Sequence, residues 1–316
     1  MDNLRRPDFL DNNSQVAPAT SNDLAITNSI KREGLISRRK FIGAALGTTA
    51  LAGLTFGYAY GIEPLQIEIA SVELLLPRLA AEFDKYKVVQ LSDIHLDNIQ
   101  MDSARLAGIV AQINQLTPDL IVITGDFITA SHHKTGAVSA DELVRPLRQL
   151  NATDGVFGIL GNHDHEQAPA MVQDVLQTAG IIELRNDVHT LKRADAALHI
   201  AGVDDVLEEK ADLNQVFAKL PENGAAILLA HEPDFADTTA ETGRFDLQLS
   251  GHSHGGQIAV PLLGPVILPP YGKKYPQGLY QVRNMLLYTN RGVGMVPPRV
   301  RLNCQPEITA FTLAAG

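Results

Sequence analysis

The stretch KVVQLSDIH, residues 87–95, sets a short apolar run against a serine, a carboxylate and an imidazole. Lys87 to Leu91 reads as a short buried strand, so Ser92, Asp93 and His95 fall just past its carboxyl end. The same figure recurs downstream. Asp119 to Ile123 is followed by Thr124-Gly125-Asp126, and Val156 to Leu160 by Gly161-Asn162-His163-Asp164. Ala226 to Leu229 leads into Ala230-His231, and Leu247 to Leu249 into Ser250-Gly251-His252-Ser253-His254. Helical spacing separates the early strands. Ser103 to Leu116 repeats Leu106, Ile109, Val110 and Ile113, with Ser103 as its N-cap, Asp141 to Leu150 is a second helix, and Ala168 to Thr178 a third that ends at Gly180.

Further strands are expected at Gln66 to Leu76 (a strand pair or one bent strand), Ile181 to Leu184, Leu198 to Gly202, Met285 to Tyr288 and Glu307 to Leu313. The first half therefore reads βαβαβα and the second half is richer in strands. That order predicts one α/β domain with two sheets, and in such sheets function gathers at the carboxyl ends of the strands. The proline- and glycine-rich stretch Pro261 to Gly278 reads as a long loop over one edge.

Composition narrows the chemistry. The chain has 316 residues, 45% of them hydrophobic, enough for a substantial core. One cysteine, Cys304, excludes an intramolecular disulfide and a cysteine-based zinc site, so any metal must be held by His, Asp, Glu or Asn. A formal net charge of −10 argues against nonspecific nucleic-acid binding. In SGHSHGGQ (250–257) the glycines point to a tight turn at a strand end, where two histidines two apart converge.

The N-terminus is a separate element. Residues 1–36 are polar, and the 22 residues from Phe41 to Ile62 carry no charge, a run long enough to span a bilayer. SRRKFI (37–42) resembles the twin-arginine export signal. Residues 1–61 are thus read as a polar region plus a twin-arginine-type signal or membrane anchor, and 62–316 as the catalytic domain. Ala59-Tyr60-Gly61 is a loose small-x-small site, which leaves cleavage and retention both open. The expected location is periplasmic, at the cell envelope or anchored to the membrane, reached through the twin-arginine machinery.

Asp-x-His, Gly-Asp, Gly-Asn-His-Asp, His and Gly-His-x-His together, across residues 87–256, resemble the calcineurin-like metallophosphoesterase family. The tail YGKKYPQGLY … RGVG … RLNCQPEIT is similar to its exported or membrane-associated bacterial phosphodiesterase branch. The resemblance implies a two-sheet sandwich in α-β-β-α layers and a binuclear centre of Mn, Zn or Fe. By motif, Asp93, His95 and His254 would bind one metal, Asn162, His231 and His252 the other, and Asp126 would bridge. A metal-bridging hydroxide would attack phosphorus, His163 would stabilise the transition state or protonate the leaving oxygen, and Asp164 would orient the His163 imidazole.

Hydrolysis of phosphodiesters, or of phosphomonoesters, is the activity implied, on lipid- or nucleotide-linked substrates rather than phosphoproteins. Two alternatives stay open: a UDP-2,3-diacylglucosamine pyrophosphohydrolase of lipid A precursor metabolism, and a non-catalytic metal- or phosphate-binding envelope protein. His132, His133 and His165 read as solvated residues or cleft-lining ones, and His189 and His199 as ordinary surface or edge residues. Lys273, Lys274, Arg283 and Arg291 are expected at the edge of the site, with Lys273, Lys274 or Arg291 contacting an anionic part of the substrate.

Overall fold

In the computed structural model, residues 38–129 and 138–316 are described. His132 and His133, the polar region 1–36 and Ser37 of SRRKFI lie outside them. Helix α1 (Arg38–Gly61) leads to β1 (Glu68–Leu76) and β2 (Tyr86–Leu91). Then α2 (Ser103–Gln115) connects to β3 (Leu120–Thr124), α3 (Ala140–Leu147) to β4 (Val156–Ile159), and α4 (Asn162–Gln167) with α5 (Pro169–Ala179) to β5 (Ile182–Glu183). The second half runs β6 (Asp187–Arg193), β7 (Ala196–Gly202), α6 (Leu213–Lys219), β8 (Ala225–Leu229), α7 (Ala236–Glu241) and β9 (Leu247–Ser250). A small hairpin, β10 (Ala259–Val260) and β11 (Gly264–Pro265), precedes β12 (Gly278–Val282), β13 (Met285–Thr289) and β14 (Glu307–Ala315).

Two six-stranded mixed sheets result, ordered β1-β14-β2-β3-β4-β5 and β12-β13-β9-β8-β7-β6. Period-two patterning explains their stacking. On β2 and β3, Val88, Leu120 and Val122 join Ile200, Ile227, Leu229 and Leu249 of the other sheet in one core. The alternate residues Val89, Ile121 and Ile123 face α2, α3 and α5. In the second sheet Ala201, Ala226 and Leu228 turn outward against α6 and α7. Strands buried on both faces read as unbroken apolar runs, and helices cover both outer faces, so the layers are α-β-β-α.

Several local expectations need correction. Of the two readings of Gln66 to Leu76 the strand pair falls and the single strand holds, as β1 over Glu68–Leu76, paired in parallel with β14. The N-cap of α2 is Asp102, whose carboxylate accepts from the Arg105 N–H at 2.8 Å, and Ser103 is the first helical residue. Strands β6 and β12 go unread in the sequence because both are partly exposed edge strands. His199 is buried on β7 between Thr190 Oγ1 and Asn223 O, both at 2.8 Å, so it is neither a surface nor an edge residue. Pro261 to Gly278 is not a plain loop over an edge: it contains β11, and its Val266, Ile267, Pro269 and Pro270 line the cavity described below.

Candidate metal centre

Parallel strands β2, β3 and β4 of one sheet and β8 and β9 of the other end at the same place. There Gln90 Nε2 donates to Ser250 O at 2.9 Å and the His252 N–H to Asp93 Oδ1 at 3.0 Å, stitching the two sheets together. Five of the seven residues read as ligands, Asp93, His95, Asp126, His252 and His254, hold positive φ between 47° and 67°. Non-glycine residues adopt that conformation uncommonly, because the Cβ crowds the backbone, and Asp and His do so more readily than most. At Gly251 a Cβ would overlap Ser92 Oγ and Asp93 Oδ2, so glycine is required there by proximity alone.

The seven side chains fall into two adjoining groups. In the first, His95 Nε2 and His254 Nε2 lie 3.0 Å apart, with Asp93 Oδ1 at 3.9 Å from the former and 3.4 Å from the latter. In the second, the His231 and His252 rings are 5.0 Å apart, and His252 Nδ1 is 3.0 Å from Asn162 Oδ1. Asp126 Oδ2 stands between the groups, 3.4 Å from His95 Nε2 and 3.2 Å from His231 Nε2. Its other oxygen accepts the His163 N–H at 3.0 Å, which fixes the carboxylate in that bridging attitude. The two histidines of SGHSHGGQ therefore do not converge on one point; each serves a different group.

Three observations show that these residues fit cations. His231 Nδ1 contacts Thr124 O at 2.6 Å and must donate there, which aims its Nε2 at the Asp126 carboxylate. His252 Nε2 must likewise donate to Pro270 O at 2.8 Å, which turns the Nδ1 lone pair toward an amide oxygen. In addition, Nδ1 of His95, Nδ1 of His254 and Nε2 of His231 are buried with no hydrogen-bond partner among the described residues. Lone pairs converging on oxygen in a buried space call for positive charge between them.

The electrostatics separate His95 and His254 from His231. Burial pushes His95 down to about 3 and His254 well below the usual imidazole range, so both present lone pairs. Burial opposes a charge on His231 as well, yet Asp126 and Asp93 draw its pKa well above the ordinary value. Burial raises Asp93 to about 6, while Asp126, in spite of burial, is held well below the carboxylate range by His231 and its other histidine neighbours.

Other expected site residues stand elsewhere. Asp164 does not orient the His163 imidazole: it accepts the N–H groups of Phe127, Ile128 and Gly161 at 2.9, 3.2 and 3.1 Å, tying together the loops after β3 and β4. His163 lines the cavity, its ring edge-on to His95 at 4.8 Å. His165 is neither solvated nor in the cleft, because it pairs with Asp204 at 2.6 Å and Lys210 Nζ at 2.8 Å. Of the basic residues, Lys274 pairs with Asp237, Arg283 with Glu241, and Arg291 with Glu68 and Glu307. None of these, nor Lys273, lines the cavity.

Sequence reasoning missed several supports. Ser92 Oγ donates to Asp93 Oδ2 at 2.6 Å, a role its place beside Asp93 could have signalled. Glu232 accepts the N–H groups of Val206 and Leu207, and Leu207 lines the cavity from a loop whose sequence carries no such signal.

Residues 86–256 match the family described as calcineurin-like phosphoesterase. An uncharacterized metallophosphoesterase of Bacillus subtilis (strain 168), YkuE, is 40% identical over 289 residues, covering 88% of this chain and 98% of the relative. The phosphodiesterase YaeI of Escherichia coli (strain K12) is 32% identical over 286 residues, covering 88% and 100%. A UDP-2,3-diacylglucosamine pyrophosphatase, LpxG of Chlamydia trachomatis serovar D, is 27% identical over 316 residues, covering 83% and 94%. With its motif residues gathered at one end of an α-β-β-α sandwich and a family match over more than half its length, the chain belongs to the calcineurin-like metallophosphoesterases.

Proposed function

We propose that this protein is a phosphodiesterase with a binuclear metal centre, acting at the cell envelope. The observation that carries the reading is the single oxygen, Asp126 Oδ2, placed within 3.4 Å of one histidine from each group. Asp93, His95 and His254 would hold one cation, Asn162, His231 and His252 a second, and Asp126 both. Divalent cations so held supply Lewis acidity toward phosphate oxygens and lower the pKa of water toward neutrality. Their Asp, Asn and His donors suit Mn, Zn or Fe(II).

The chain's own residues do the rest. The positive-φ turns fix the donors, Ser92 and the His252 N–H hold Asp93, and the Asp164 carboxylate braces the loop that carries Asp126. His163 faces the cavity and hands a proton from its imidazole to the leaving oxygen. Diester specificity is supported by similarity to a relative named as a phosphodiesterase. The envelope location is supported by SRRKFI and by Arg38–Leu65, 28 residues long and apolar enough to cross a membrane.

The test uses the full chain purified in non-ionic detergent and reloaded with Mn²⁺ or Zn²⁺. Bis(p-nitrophenyl) phosphate should be hydrolysed in preference to p-nitrophenyl phosphate. Asp126→Asn should lower kcat/KM at least about a hundredfold. Monoester preference would overturn the diesterase assignment, and full activity in Asp126→Asn would overturn the binuclear one.

A further inference from the structure

The cavity that opens from the candidate metal centre, about 310 Å³ in volume, has two unlike walls. Asp126, Asn162, His163, His252 and His254 form one. Ile258, Val266, Ile267, Pro269, Pro270 and Val296–Pro298 form the other. Two polar side chains on that side are already engaged. The Gln257 amide donates to Val296 O and Pro298 O and accepts the Val296 N–H, while Ser253 Oγ donates to Pro276 O. A sugar or base laid there would lose its hydrogen bonds to water and gain few in return.

The apolar wall continues outward. From Ile258 to Tyr271 the chain carries no charge. Its hairpin, β10 and β11, presents Leu262 and Leu263 at 106% and 84% exposure, followed by Val266 and Ile267 at 56% and 74%. An aliphatic ridge this exposed is unusual on a soluble surface and marks a contact site. Tyr271 and then Lys273 and Lys274 close it, the order of aliphatic, aromatic and cationic residues found where a segment meets a lipid interface.

The C-terminal end of the apolar helix α1 reaches the same wall. Ala59 O accepts the Arg301 N–H at 2.9 Å, and Gln100 Nε2 donates to both Tyr60 O and Arg299 O at 3.3 Å. Arg299 directly follows Pro297–Pro298 of the cavity lining. A helix suited to a bilayer thus ends beside the apolar side of the site.

We infer that this wall is a hydrocarbon subsite: the phosphoester taken here is a lipid, its phosphorus at the histidine-rich wall and its acyl or alkyl chain along Ile258–Pro270 and Val296–Pro298. The inference rests on the phosphodiesterase reading above and names its substrate class.

The test compares p-nitrophenyl methyl, butyl and octyl phosphates, which share one leaving group, on the metal-loaded full chain at a fixed detergent concentration. From methyl to octyl, kcat/KM should rise at least about tenfold. Val266→Asp and Ile267→Asp alter exposed positions that the fold tolerates, and each should cut that rise to below about threefold. Calorimetric binding of methylphosphonate and octylphosphonate reads the subsite independently of turnover. A flat series in the unmodified protein, or a rise that survives in both variants, overturns the inference while turnover of the methyl ester keeps the diesterase reading. Preferential binding of octylphosphonate without turnover of any ester supports the subsite and overturns the diesterase reading instead.

Discussion

His163 differs from its neighbours in where its ring stands. Its backbone N–H holds Asp126 Oδ1, but its side chain lines the cavity beside the converging lone pairs. A proton donor in that place matters most when the leaving oxygen is basic. His163→Ala is therefore expected to lower kcat about 10²- to 10⁴-fold on a diester with an alkoxide leaving group, and less on a p-nitrophenyl ester. Metal content should stay unchanged; equal losses on both substrates would exclude the proton-donor role. Gly251 tests the opposite kind of contribution, since a Cβ there overlaps Ser92 Oγ and Asp93 Oδ2. Gly251→Ala should cost about 1–3 kcal/mol of stability and weaken metal binding, read by denaturant melts and metal titration. The SGHSHGGQ pattern already signalled a glycine-bearing turn, but not this contact, because Ser92 is 159 positions away in the sequence.

At the scale of elements, the loop after β2 is pinned to the tail segment that lines the cavity. Asp97 Oδ2 meets Arg299 Nε at 2.6 Å, and its other oxygen accepts the N–H groups of Ile99, Gln100 and Met101. Burial opposes ionisation of Asp97, yet the guanidinium and these N–H groups hold its pKa below the usual carboxylate value. A depressed carboxylate stabilises the fold above its unfolded pKa of about 3.9 and loses that contribution as pH falls through the folded value. Asp97→Asn should thus cost about 1–3 kcal/mol at neutral pH and progressively less below about pH 4. A constant cost across that range, in melts from pH 7 to pH 3, would rule the pair out. This link illustrates what local patterning hides: β2, β3 and β4 were legible from apolar runs ended by polar residues, whereas Asp97 and Arg299 carry no common signal. Edge strands β6 and β12 escaped for a related reason, since partial exposure blurs their alternation.

For the molecule as a whole, the candidate ligands divide between the sheets. Asp93, His95, Asp126 and Asn162 follow strands of one, and His231, His252 and His254 follow strands of the other. That division was partly legible, because five strand ends each carried a polar motif, but the sheet each strand joins depends on pairings far apart in sequence, such as β14 between β1 and β2. Between the sheets the apolar core ends where the ligands begin, so the carboxylates and lone pairs at that end repel unless positive charge lies among them. Cations binding there act as a clasp on both sheets and favour the folded state by mass action. At a hundred times the Kd this amounts to about 2.7 kcal/mol, which raises the melting temperature of a domain this size by about 5 °C. Chelation should reverse the gain. His252→Ala, which removes a donor from the second sheet, should lessen the metal-dependent rise, and scanning calorimetry with and without chelator reads both. A melting temperature indifferent to Mn²⁺, Zn²⁺ and chelator alike would mean that the two sheets are held by their apolar core alone.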